Sequence, residues 1–97
     1  MPDHAKCIFC KIVRGEIPAV KVHEDDHTLT FMDIQPASPG HTLVISKAHA
    51  PNLLEIAESD LFAVTATTQR IACAVQKALM PDGIRIVQTN GAAAGQS

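Results

Sequence analysis

Apolar and polar positions change period several times along the chain, and each change marks an element. From Lys6 to Ile17 the apolar residues Ile8, Phe9, Ile12 and Val13 recur at helical intervals until Gly15 and Pro18 interrupt them, which predicts a short helix or helical turn. Val20 to Glu24 then alternates at period two, Asp25-Asp26 makes a turn, and Thr28 to Ile34 resumes the extended pattern, as in a hairpin. Gln35-Pro36-Ala37-Ser38-Pro39-Gly40, with its prolines and glycine, must be a loop. The continuous apolar run Thr42-Leu43-Val44-Ile45 suits a strand covered on both faces.

Beyond Pro51 the period lengthens again. Leu61, Val64, Thr68, Ile71, Val75 and Leu79 step by threes and fours and define one apolar stripe, so a long helix runs here. Ser59 is its expected N-cap, and Asp60 places negative charge near its positive end. Pro81-Asp82-Gly83 ends it, Ile84 to Thr89 reads as another strand, and Asn90 to Ser97 has no periodicity. Strands in hairpin order with a short and a long helix give an α+β plan.

Composition narrows the function. The 97 residues suit one small domain, 1–97, with no internal repeat or linker. A formal net charge of -2 offers no basic face for a phosphate backbone, so no nucleic-acid partner is expected. No apolar run nears the roughly 20 residues that span a bilayer, and Met1-Pro2-Asp3-His4 lacks the pattern of a signal peptide. No membrane partner is expected. Three cysteines, two of them in Cys7-Ile8-Phe9-Cys10, suit a reducing, cytoplasmic setting better than a disulfide framework.

Three groups of residues could carry chemistry. Cys7 and Cys10 can converge on one zinc ion if further ligands come from elsewhere; the alternative is a pair of half-buried thiols flanking Phe9. A redox dithiol is disfavoured, because no strand precedes the pair. His49 follows the apolar strand in a loop where it could face a site or simply be hydrogen-bonded. Asp33, at a strand end between apolar side chains, could accept two hydrogen bonds from a vicinal diol while Phe31 and Ile34 offer apolar walls to a base; it could equally form a turn before Pro36. The small-residue tail from Gly91 to Ser97 permits close backbone approach to an anion, with Asn90, Gln96 and Ser97 as donors.

Together these pieces resemble the histidine triad (HIT) family. The carriers are Cys7-Ile8-Phe9-Cys10-Lys11-Ile12-Val13-Arg14-Gly15-Glu16-Ile17-Pro18, Phe31-Met32-Asp33-Ile34-x-Pro36, Pro39-Gly40-His41-Thr42-Leu43-Val44-Ile45 with His49, and Asn90 through Gly95-Gln96-Ser97. The resemblance implies a HIT-like antiparallel sheet with a short N-terminal helix and one long helix. It makes Phe9, Phe31, Asp33 and Ile34 the lining of a purine nucleoside pocket, with Asp33 the ribose acceptor and His41 nearby. Asn90, Gly95, Gln96 and Ser97 would begin the phosphate-binding segment. Cys7, Cys10 and His49 match three of the four zinc ligands of zinc-containing members. A purine nucleoside monophosphate or related nucleotide is the implied ligand, and a homodimer through the long helix and the Ile84 to Thr89 strand the implied assembly.

In the family, Gly-Gln-Ser is followed by alternating histidines on a strand, one of which attacks the α-phosphorus of a nucleotide to give a nucleotidyl-histidine that water cleaves. Period two sets those imidazoles on one face of the strand. None of His4, His23, His27, His41 or His49 lies in such an array, so no residue of this sequence is assigned as the catalytic nucleophile. The expectation is a domain truncated at its C-terminal end, without the triad-bearing strand and inactive by itself. Its parent would hydrolyse nucleoside phosphoramidates or other nucleotidyl substrates. A non-catalytic nucleotide-binding module and a zinc-stabilised dimeric interaction module are the alternatives.

Overall fold

A computed structural model describes residues 7–32, 41–91 and 93. The first helix, α1, spans Ile8–Val13 and is bracketed by local hydrogen bonds. At its start the Cys7 sulfur accepts from the backbone N–H of Cys10 at 3.4 Å. At its end Gly15, at φ 79°, donates to the Ile12 carbonyl, and Glu16 donates to that of Lys11. This double closure needs a left-handed residue after the cap, which glycine supplies without a Cβ clash. Ile12 is the buried residue of α1.

Strands β1 (Lys21–Glu24), β2 (Thr28–Met32) and β3 (Thr42–Ser46) form one antiparallel sheet in that order. Asp25 holds the β1–β2 turn: its Oδ1 accepts the N–H groups of His27 at 2.9 Å and Thr28 at 2.7 Å, and its Oδ2 accepts the Thr28 hydroxyl at 3.0 Å. The backbone donors of His27, then Thr28, hold the Asp25 carboxyl far below its usual value, because they stabilise the charged form. A bulge at Val22 shifts the β1–β2 register, whereas Thr28 to Met32 pairs without interruption with Ser46 to Thr42.

Side-chain alternation gives β2 two different faces. Leu29 and Phe31 point to α1 and form the core with Ile12, against which Phe9, Leu43 and Ile45 pack. Thr28 points the other way, to the long helix α2 (Glu58–Leu79), where its hydroxyl meets that of Thr67 at 3.0 Å in a fully buried contact. The Thr28 proton goes to Asp25, so Thr67 donates to Thr28. The sheet thus lies between a short helix on its apolar face and a 22-residue helix on its hydroxyl-bearing face, about 33 Å long at 1.5 Å per residue.

Among the described residues the predicted elements are present, with three corrections; the expected continuation of the second strand through Asp33 and Ile34 and the expected loop at 35–40 lie outside those residues. Ser59 is not the N-cap of α2: Ala57 is, with no side-chain cap, and the helix starts at Glu58, which puts Ser59 inside its first turn. Asp60 and Glu58 do supply the negative charge expected there. Strand β3 has a helix on each face but stays half-buried throughout, since among the described residues only β2 pairs with it. Ile84 to Thr89 is not a strand: a strand is defined by its ladder, and this segment has none among the described residues, leaving Ile86 and Val87 largely exposed. No helix of the described residues is long and apolar enough to cross a membrane.

Candidate metal centre and nucleoside wall

Three sequence-predicted ligands converge. Cys7 caps α1 in an extended conformation, Cys10 sits in the first helical turn, and His49 follows β3, yet their ligand atoms all lie within 4.8 Å of one another. All three residues are half-buried. The Cys10 sulfur and His49 Nδ1 are 2.9 Å apart, a hydrogen-bond contact. Burial pushes the Cys10 thiol up, the hydrogen bond and charge of Cys7 push the same way, and Arg14 opposes them.

The donor set suits zinc. Bond lengths of about 2.3 Å to sulfur and 2.0–2.1 Å to nitrogen put tetrahedral sulfur and nitrogen ligands about 3.6 Å apart, so small side-chain rotations about the observed positions suffice. The cluster also links α1 to the segment after β3, through the contact between the Cys10 sulfur and His49 Nδ1. A sequence pattern of two cysteines could not supply that link; the fold does, by pairing β3 with β2 beneath α1.

Beside the cluster stands an aromatic wall. Phe9, between the two cysteines, lies with its ring centroid 6.3 Å from that of Phe31, at an interplanar angle of 45°. Such tilted rings present an edge and a face and are mutually attractive. Phe31 is 4% exposed, while Phe9 is only half-buried and leaves apolar surface available. Of the other residues assigned to nucleotide binding, His41 is half-buried and immediately precedes β3. Asn90 accepts the Leu53 N–H on its Oδ1 at 2.8 Å and exchanges two amide hydrogen bonds with Gln88. This pins Asn90 to the loop ahead of α2, next to Gly91 in its left-handed conformation at φ 90°. Asp33, Ile34, Gly95, Gln96 and Ser97 lie outside the described residues.

A concavity of about 270 Å³ lies on the opposite face of the sheet, under the C-terminal half of α2, between Val22, Met32, Thr42 and Ala74, Ala78 and Leu79. Its lining is almost wholly apolar and has no group that would hold a phosphate. The buried hydroxyls of Thr28 and Thr67, on that same face, went unnoticed in the sequence; a threonine directly beside the apolar stripe of α2 was the available signal.

Comparison with known proteins agrees with this arrangement. The HIT domain family matches residues 14–97. An adenylylsulfatase of Arabidopsis thaliana is 44% identical over 90 residues, which are 93% of this chain and 46% of that protein. An adenosine 5'-monophosphoramidase of Schizosaccharomyces pombe is 40% identical over 90 residues, 93% of this chain and 65% of that protein. The chain therefore spans about half to two thirds of these relatives. A crystal structure of a zinc-bound histidine triad family protein from Mycobacterium smegmatis superposes with a TM-score of 0.90 at 38% identity, over 98% of this chain and 69% of the other. From the family match, these identities and the shared three-dimensional form, the chain belongs to the HIT family.

Proposed function

We propose that this chain supplies the base-and-ribose side of a purine nucleotide site, and that the whole protein hydrolyses a nucleotidyl bond such as a phosphoramidate. The observation that carries the reading is the Phe9–Phe31 wall, held on the α1 face of the sheet beside Cys7, Cys10 and His49. An apolar wall with a few convergent polar groups is what a nucleoside needs: rings to cover the base and a fixed acceptor for the diol. Asp33, two residues beyond Phe31, is assigned as that acceptor and Ile34 as further lining. Asn90, Gly95, Gln96 and Ser97 are assigned to the phosphate, with His41 near the pocket. Support comes from two relatives whose names specify an adenylyl sulfate and an adenosine monophosphoramidate.

In this reading the chain binds and orients, and the nucleophile is a histidine of the family's alternating cluster. Attack on phosphorus forms a phosphorus–nitrogen bond and expels the amine; water then cleaves that bond, returning the histidine and the nucleoside monophosphate. None of the five histidines of this chain takes that part. Zinc, bound by Cys7, Cys10, His49 and a fourth ligand, would supply a structural cross-link that steadies α1 and with it Phe9.

Calorimetric titration of the chain with adenosine monophosphate tests the binding half: heat is expected, and its absence in a folded sample would remove nucleotide binding. The hydrolytic half predicts that the whole protein, and not this chain, cleaves adenosine phosphoramidate. Turnover by the chain itself would refute the division of labour. The convergence of Cys7, Cys10 and His49 favours one second reading, a zinc-stabilised dimeric interaction module, which would bind zinc and sediment as a dimer while giving no heat with the nucleotide.

A further inference from the structure

We infer that Cys7 and Cys10 form an oxidisable dithiol, closed to a disulfide by a low-molecular-weight disulfide such as oxidised glutathione, and that closure and metal binding exclude each other. The role differs from that of a catalytic oxidoreductase, for which the sequence context is wrong. Here the pair is a stoichiometric modification site that reports on the redox setting of the protein.

The geometry carries this. The extended backbone of Cys7, at φ −75° and ψ 117°, turns its side chain back over the first turn of α1, so that its sulfur accepts from the N–H of Cys10 itself. The two sulfurs lie within 4.8 Å of each other, and residues at this spacing in a helical turn fall inside the backbone range of about 4.4–6.8 Å that a disulfide spans. A rotation about the Cys7 side chain therefore joins them without moving α1. The third thiol provides a contrast: Cys73 is exposed on α2, and no cysteine lies near it along the helix.

The chemistry balances with the named oxidant. The Cys7 sulfur attacks one sulfur of the small disulfide and expels one small thiol, leaving a mixed disulfide. The Cys10 sulfur then attacks the Cys7 sulfur and expels the second. One disulfide bond is broken and one formed; the two thiol hydrogens of the protein end on the two small thiols. Closure consumes both sulfur ligands and leaves His49 alone of the three, so the oxidised site cannot keep a metal. Conversely, a metal ion occupies the sulfur lone pairs that the exchange needs.

The experiment uses the whole chain carrying Cys73→Ser, incubated with oxidised glutathione and followed by intact mass and thiol count. The expected product has lost two hydrogens and both thiols and carries no glutathionyl group. A second variant, adding Cys7→Ser, should instead stop at a glutathionyl adduct or a free thiol on Cys10. Persistent adducts on the Cys73→Ser chain, without the loss of two hydrogens, would overturn the inference. With zinc chloride at about ten times its measured Kd for the reduced chain, the free dithiol and the oxidation rate should both fall about tenfold. An unchanged rate under saturating zinc would overturn mutual exclusion. Failure of the reduced chain to bind zinc would refute that part as well as the metal reading, while the mass measurement still decides the disulfide.

Discussion

The buried hydroxyl contact between β2 and α2 allows a sharp test of what joins the sheet to its long helix. Thr67→Val keeps the shape of the side chain and removes the proton donated to Thr28. Both residues are within 2% of full burial, so water cannot replace the bond in the folded state. A neutral hydrogen bond of this kind contributes about 0.5–1.5 kcal/mol net. For a domain of this size that corresponds to a fall in Tm of about 4–8 °C per kcal/mol. Thr28→Val should cost more, because it also removes the bond from the Thr28 hydroxyl to Asp25. Thr30 supplies the control. It is also fully buried and on the same face of β2, but its hydroxyl has no partner among the described residues. Thr30→Val removes an orphaned polar group and should be neutral or stabilising by up to about 1 kcal/mol. The assay is urea unfolding of the three single variants and the Thr28→Val/Thr67→Val double variant, followed by far-ultraviolet circular dichroism. The cycle should yield a coupling of roughly 1 kcal/mol. Additive effects of the two substitutions, or a loss at Thr30 equal to that at Thr67, would refute the assignment of the bond.

Other outcomes follow from the same structure. Phe31→Ala, at a 4% exposed position in the core with Leu29 and Ile12, should cost about 3–5 kcal/mol and abolish a cooperative urea transition in a chain this small. Asp25 has its carboxyl lowered in the folded state from a usual 3.8, so it stabilises above that value and the benefit is lost as pH falls through and below it; Asp25→Asn should flatten the acid limb of a stability-against-pH curve, and an unaltered limb would contradict this. His49→Ala should weaken zinc binding, measured by competition with a chromogenic chelator, by roughly tenfold or more, since it removes one of three convergent ligands. Met80 ends α2 in the left-handed region at φ 46° and is 78% exposed, so Met80→Gly should raise stability by up to about 1 kcal/mol, read as an increase in Tm.

Much of this was legible because the sequence states its periods openly. The stripe from Leu61 to Leu79 needed only a surface to lie on, and the alternation around Asp25 needed only a turn residue able to accept two N–H groups. Where the sequence misled, a local signal met a non-local requirement. Ser59 has good capping chemistry, yet the backbone enters the helix at Ala57 and leaves Ser59 two residues past the cap. Ile84 to Thr89 has the residue types of a strand, but residue type cannot provide the ladder that a strand consists of.

The site divides in the same way. From the sequence came the donor atoms: a cysteine pair flanking an aromatic residue, a histidine some forty positions later and a second phenylalanine on a strand. Nothing in their spacing measures the distance between them. That was decided by the pairing of β2 with β3 beneath α1, which brings His49 to the mouth of the cysteine turn and sets Phe9 against Phe31. The hydroxyl bond between Thr28 and Thr67 is wholly a product of tertiary structure, because neither residue needs the other until the sheet and the long helix exclude water from both.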